Sequence, residues 1–273
     1  MEAYKREFIR FLEEAGVLKF GDFIAKSGRK LPYFLNAGEV KTGGGSLRLG
    51  EFYARAYREK LGDKRAALFG PAYKGIPLAV CAASALAREG LDLPWFFNRK
   101  EAKDHGEGGT LVGYLPKAGD EVVIVEDVIT AGTAIRESMA LLSALEGVKV
   151  AAAFVMVDRR ERGQTEKAAT REVEELFGFP VYAIADVYDI LEYLEETPEG
   201  KVRADRIRAY LAEYGDRNET PDQHTGPYGP GDRRPHPPGG RHYGPALGLL
   251  GRLRPQDPGH PVLRALDPHP HEL

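Results

Sequence analysis

The segment Glu126-Asp127-Val128-Ile129-Thr130-Ala131-Gly132-Thr133-Ala134 follows an apolar run, Glu121 to Val125, and leads into a helical pattern with Ile135, Met139 and Leu142 on one face. Threonine and glycine at a helix start leave several backbone amides open, with the positive end of the helix dipole behind them. Such a turn can hold a phosphate dianion. The adjacent acids, reaching just short of it, can accept hydrogen bonds from two vicinal hydroxyls, as on a ribose. No Gly-Lys-Ser/Thr ending is present, so this is not a nucleoside-triphosphate P-loop. A second segment, Asn98 to Thr110, carries Arg99, Lys100, Lys103 and His105 within seven positions, then three glycines in four. Clustered donors of this kind stabilise charge on a polyanionic leaving group, and glycines let a lid close and reopen.

Three further segments carry usable chemistry. Leu68 to Pro77 reads as strand, turn and helix start, with Tyr73 and Lys74 at the turn. Its amides and the Lys74 ammonium could hold an anion, although alone it reads equally well as a plain connection with a surface lysine. Leu18 to Gly38 reads as a hairpin whose aromatics could cover a flat ring; taken alone it is an ordinary hairpin. The run Val157-Asp158-Arg159-Arg160-Glu161-Arg162-Gly163 offers guanidinium forks that fit a carboxylate at two points. Arg160 and Arg162 are expected to be solvated or engaged by Asp158 and Glu161.

The elements that must position these residues alternate between helix and strand. Glu2 to Ala15 and Leu47 to Leu61 have helical spacing, as does Pro77 to Arg88. Ala66–Phe69, Pro94–Phe97, Glu121–Val125, Val150–Val157 and Val181–Ile184 are apolar on consecutive residues. Runs without alternation imply strands covered on both faces, hence an α/β fold with a mostly parallel sheet flanked by helices. In such folds ligands sit beyond the carboxyl ends of the strands, which is where the segments above fall.

Bulk properties narrow the function. A net charge of −3 gives no global reason to expect nucleic acid or an anionic membrane as partner. No stretch approaches the ~18 apolar residues needed to cross a bilayer. Met1 to Glu14 lacks the apolar core of a signal peptide, so the expected location is the cytoplasm. The single cysteine, Cys81, lies in an apolar run and reads as a small buried hydrophobe. Composition breaks near residue 215: of 19 prolines, 12 lie within residues 216–273, as do six of the seven histidines. That stretch cannot easily offset its ordering entropy by burial. It is read as a disordered tail, such as a read-through or shifted reading frame would give. The folded domain is assigned to residues 1–215.

Residues 123–134 resemble the signature for phosphoribosyl pyrophosphate (PRPP) of the type I phosphoribosyltransferases. The string Phe97-Asn98-Arg99-Lys100-Glu101-Ala102-Lys103-Asp104-His105-Gly106-Glu107-Gly108-Gly109 is similar, nearly letter for letter, to the catalytic loop of bacterial orotate phosphoribosyltransferases. The resemblance spans about residues 1–215. It implies the type I phosphoribosyltransferase fold, with a small N-terminal hood at about residues 17–40 and a catalytic lid at about 99–110. The activity it implies is transfer of the phosphoribosyl group from PRPP to orotate in pyrimidine (UMP) biosynthesis, with Mg2+ expected mainly on the pyrophosphate and ribose oxygens and few direct protein ligands.

By this resemblance PRPP meets Lys26, Tyr73, Lys74, Arg99, Lys100, Lys103, His105, Glu126, Asp127, Val128 and Ile129, and its 5-phosphate meets Thr130 to Ala134. Orotate meets Lys26, Phe34, Leu35, Thr130 and Arg159. The Tyr73–Lys74 turn is expected to contain a strained peptide. Catalysis falls to Lys100, Lys103, His105 and Asp127. Lys100 acts within its own subunit while Arg99, Lys103 and His105 serve the neighbour, so a homodimer is expected. This chain departs from the family pattern at Glu126, where Asp is frequent, and at Leu35, where Phe is common. A PRPP-sensing regulator would need a DNA-binding domain or a basic face, and the hood with Arg159 argues for an acidic pyrimidine over a purine. Lys103→Ala is expected to lower turnover by about 10²–10³, as deletion of a transition-state donor typically does. Steady-state assay of the folded variant checks this; an undiminished rate contradicts the lid assignment.

Overall fold

The apolar runs become the interior strands of one sheet in a computed structural model that describes residues 1–25, 28–103, 109–130 and 132–217, without the side chains of residues 102, 103 and 109. Along the chain the elements are α1 (Ala3–Glu14), β1 (Leu18–Ile24), β2 (Lys30–Leu35), α2 (Gly43–Leu61), β3 (Ala67–Gly70), α3 (Gly75–Arg88), β4 (Trp95–Lys103), β5 (Gly109–Gly113), β6 (Glu121–Glu126), α4 (Thr133–Leu142), β7 (Lys149–Asp158), α5 (Ala169–Phe177), β8 (Val181–Asp186), α6 (Val187–Leu194) and α7 (Pro198–Tyr214). Six strands form the main sheet in the order β5-β4-β3-β6-β7-β8, and β1 and β2 form a separate hairpin. Only the β4–β5 pairing in the main sheet is antiparallel.

Alternate residues of the central strands enter two different cores. Leu68, Val123, Val125, Phe154 and Met156 face the side of α1, α2, α3, α6 and α7, together with the hairpin. Ala67, Phe69, Val122, Ile124, Ala153 and Val155 face α4 and α5. The unbroken apolar runs follow from this two-sided burial. Helices α2 and α3 approach closely at Gly50, where a Cβ would lie 2.3 Å from the carbonyl oxygen of Cys81. Cys81 itself is half-buried, less than its apolar neighbours suggest, and burial pushes its thiol pKa up.

Several elements go beyond the sequence reading. Strand β4 runs on to Lys103 and pairs with β5, so the flanks of the expected lid are a strand ladder with Lys103 opposite Gly109. Residues 104–108, including His105, lie outside the described residues. Helices α5, α6 and α7 were not read from the sequence. The starts of α6 and α7 are set by caps: Asp186 and Asp189 form a capping box on α6, and Thr197 accepts from the Gly200 amide at 3.0 Å ahead of Pro198 in α7. Ordered contacts extend two residues past the expected boundary at 215, with the Asp216 amide donating to Arg160 O at 3.0 Å and the Arg217 amide to Glu166 O at 3.1 Å. The remainder of the proposed tail, 218–273, lies outside the described residues. No helix among the described residues is long and apolar enough to cross a membrane. Because the α2–α3 contact is backbone against backbone, Gly50→Ala is expected to lower stability by about 1–3 kcal/mol. The urea unfolding midpoint reads this directly, and an unchanged midpoint contradicts the close approach.

Candidate active site

Strand β6 ends in two acids that stay buried: Glu126 is 6% exposed and Asp127 5%. Adjacent buried carboxylates repel, and the surroundings answer that charge. Glu126 Oε1 accepts from the Asp127 amide at 3.0 Å, and Asp127 Oδ1 accepts from the Val128 amide at 2.8 Å. Lys74 Nζ reaches Asp127 Oδ2 at 3.0 Å. The Tyr53 hydroxyl donates to Glu126 O at 2.6 Å, and the Met156 amide to Asp127 O at 2.8 Å, fixing the backbone beneath. Beyond the acids, Ile129 turns its side chain into the core while Thr130 is exposed. Gly132, at φ 71°, is the N-cap of α4, and no side chain caps that helix among the described residues. The amides of the first turn are therefore left without a side-chain cap, as the Thr-Ala-Gly-Thr pattern predicts. Ala131 lies outside the described residues.

The turn between β3 and α3 stands beside this cradle. A Cβ on Gly70 would meet Gly75 O at 2.3 Å, and one on Gly75 would meet Val125 O at 2.9 Å, so glycines let the turn close against β6. The Ala72–Tyr73 peptide bond is cis. The Ala72 amide donates to Asn98 Oδ1 at 2.9 Å, which ties the turn to β4. Tyr73 is exposed and the Lys74 ammonium is half-exposed, its pairing with Asp127 open to solvent on one side. Lys100 lies 3.4 Å from Glu137 of α4, and with Asn98, Ala72 and Ala134 it lines one small cavity. Arg99 precedes Lys100 on β4, in the stretch between Asn98 and Lys103 where the pairing with β5 is irregular.

The residues expected to meet the base lie on the hairpin and on the loop after β7. Leu35 is buried and pairs with Leu18, so its side chain belongs to the core and only its backbone is available to a ligand. Phe34 is 40% exposed, with Phe23 at 5.6 Å between ring centroids. Lys26 lies outside the described residues. Arg159 is 7% exposed, and its guanidinium lies 4.9 Å from the Tyr33 ring centroid. The sequence reading paired Glu161 with the other arginines of this loop; it instead pairs with Arg159, at 2.9 Å from Nε and 2.5 Å from Nη2. The local backbone explains the difference. Arg160 adopts φ 51°, which turns its side chain to Asp158 and Asp186 at 3.5 and 3.3 Å. Arg162 pairs with Glu166 at 2.9 Å.

The geometry thus sets an uncapped helix start, two buried acids, a lysine turn and a cationic strand at one end of a parallel sheet. A phosphoribosyl transferase domain model matches residues 36–185. The chain is 52% identical over 216 residues to the orotate phosphoribosyltransferase of Pseudomonas fluorescens (strain SBW25), covering 79% of this chain and 100% of the relative. Identity to the enzyme of that name from Pseudomonas aeruginosa (strain PAO1) is 54% over the same shares. The chain belongs to the orotate phosphoribosyltransferase family. A crystal structure of the family member from Francisella tularensis superposes with a TM-score of 0.68 at 36% identity, covering 77% of this chain and 99% of that one. As an orotate phosphoribosyltransferase family member the chain is an enzyme of the α/β class, and its sheet and hood follow the expected type I arrangement.

Burial, with Asp127 alongside, pushes the Glu126 carboxyl from 4.5 up to about 7. Between those values the folded chain holds a proton that the unfolded chain has released. Stability contributed by this group therefore falls as pH rises from about 4.5 and levels off above about 7. Glu126→Gln is expected to flatten that part of the melting-temperature profile between about pH 5 and pH 7. Parallel profiles for the two proteins would contradict the assignment.

Proposed function

We propose that this chain performs the reaction of its family, transfer of the 5-phosphoribosyl group of PRPP to orotate, giving orotidine 5'-monophosphate and pyrophosphate in pyrimidine biosynthesis. One observation carries the site assignment: the buried Glu126–Asp127 pair stands between an uncapped helix start and the Lys74 turn. A ribose bearing a phosphate at one end and a pyrophosphate at the other fits that order. The amides of Thr130 to Ala134 take the 5-phosphate, and Glu126 and Asp127 accept from the ribose hydroxyls, with Val128 and Ile129 contributing backbone. Tyr73, Lys74 and Lys100 line the pyrophosphate side, joined by Lys26, Arg99, Lys103 and His105. Orotate lies against Phe34, the backbone of Leu35 and Thr130, its carboxylate on Arg159.

A ring nitrogen of orotate then displaces pyrophosphate at C1 of the ribose. Positive charge builds on the sugar and negative charge on the leaving group, and the chain's part is to hold donors where that negative charge develops. Lys74 is suited to this because its partner Asp127 is buried while the ammonium itself is half-exposed. Asp127 carries the charge that faces the ribose. Mg2+, when bound, would offset the negative charge of the pyrophosphate. The donor set fits an ion carried mainly by the substrate: Glu126 and Asp127, the acids beside the ribose position, already accept from backbone amides and from Lys74.

The reading includes a homodimer with shared sites, in which Lys100 acts at home and Arg99, Lys103 and His105 reach the partner's site. The proposed location is the cytoplasm. Loss of orotate absorbance with PRPP and Mg2+, stopped by a chelator and absent with adenine or uracil, is the expected result. Consumption of a purine in place of orotate would overturn the substrate assignment. Asp127→Asn is expected to reduce kcat/KM by about 10²–10³ with the fold retained, read by the same assay and by circular dichroism.

A further inference from the structure

Arg159 is held by more than its burial. A guanidinium has five N–H groups in a plane, and two of them, on Nε and Nη2, converge on Glu161 Oε1 at 2.9 and 2.5 Å. The guanidinium also lies over the Tyr33 ring, 4.9 Å from its centroid. With the side edge of the fork occupied, the end-on edge between Nη1 and Nη2 is the one oriented away from Glu161. That edge has the two-point geometry a second carboxylate needs.

Glu161 is itself braced. Its side chain is 10% exposed, and Oε2 accepts from Arg29 Nη1 at 3.3 Å. Arg29 belongs to the hairpin, lies 3.4 Å from the Tyr210 hydroxyl of α7, and stacks 4.5 Å from the Tyr214 ring centroid. The backbone of Glu161 is pinned as well, its carbonyl accepting from the Ala169 amide at 3.0 Å. A single carboxylate thus joins the loop after β7 to the hairpin and, through Arg29, to the last helix.

We infer that Glu161, braced by Arg29, is a positioning residue that orients the Arg159 guanidinium for the carboxylate of the base. This rests on the reading that Arg159 receives orotate. Neutralising a buried partner also costs stability, so lost activity alone does not separate positioning from folding. The two roles part in the Michaelis constants. A smaller folded fraction lowers apparent kcat and leaves both KM values unchanged, whereas a misaimed fork raises KM for orotate and not for PRPP.

Four proteins decide it: the full chain, Arg159→Gln, Glu161→Gln and Arg29→Gln. Arg159→Gln tests the underlying reading alone, and an unchanged orotate KM there would remove orotate from this side chain. Glu161→Gln is expected to raise orotate KM by about tenfold, the factor for losing a hydrogen bond to a charged group, with PRPP KM held within about twofold. Arg29→Gln should show the same split at about threefold. Should Arg159→Gln shift orotate KM while Glu161→Gln lowers only kcat, Glu161 is structural and the inference is wrong. If Glu161→Gln does not fold, Arg29→Gln decides, because Arg29 is one-third exposed; an unchanged orotate KM in it overturns the inference.

Discussion

Two neighbouring carboxylates kept out of water at the end of a strand are costly to hold, and the elements around them supply what holds them there. An isolated buried carboxylate is strongly disfavoured, and a second beside it more so. The chain meets this with local amides, with the Lys74 ammonium brought over by the β3–α3 turn, and with Tyr53 and Met156 securing the peptide units. The turn can come so near only because Gly70 and Gly75 lack side chains. The compensation is incomplete at Glu126, whose carboxyl remains well above the usual range.

The second centre of charge, around Arg159, is solved differently. There an opposite charge is supplied within the same loop, and the left-handed conformation at Arg160 separates two adjacent arginines onto different partners. The acids at positions 158 and 186 share Arg160, while Glu161 is shared by Arg159 and Arg29. The last helix takes part through Tyr210 and Tyr214. The hairpin, the β7 loop and α7 are therefore linked by charge and aromatic stacking where the main sheet is not involved.

Much of this was legible in the amino acids. Strands β3, β6, β7 and β8 are uninterrupted apolar runs because both faces of the sheet are covered, and the Thr-Ala-Gly-Thr turn announced an uncapped helix start. Strand β5 was not readable: its five residues, Gly109 to Gly113, begin and end in glycine and look like the continuation of a loop. Helix α7 escaped because its surface is crowded with charge and its apolar face is narrow, with only Gly200, Ala204, Ile207 and Tyr210 buried. Its Thr197-Pro198 start was the available signal. Glu161 was missed because its bond to a residue two positions earlier needs a left-handed residue between them, which no periodicity encodes. Lys26, His105 and Ala131, and the Lys103 side chain, fall outside the described residues, so for them the sequence reading stands alone.

The short strand β3 lies between β4 and β6, and this order acts as a ruler. Backbone hydrogen bonding fixes neighbouring strands about 4.8 Å apart, so the cation-bearing strand and the acid-bearing strand stand roughly 10 Å from each other. No choice of side chain alters that spacing. Variation in this scaffold can change which groups project from either rail, but the gauge between the rails belongs to the backbone.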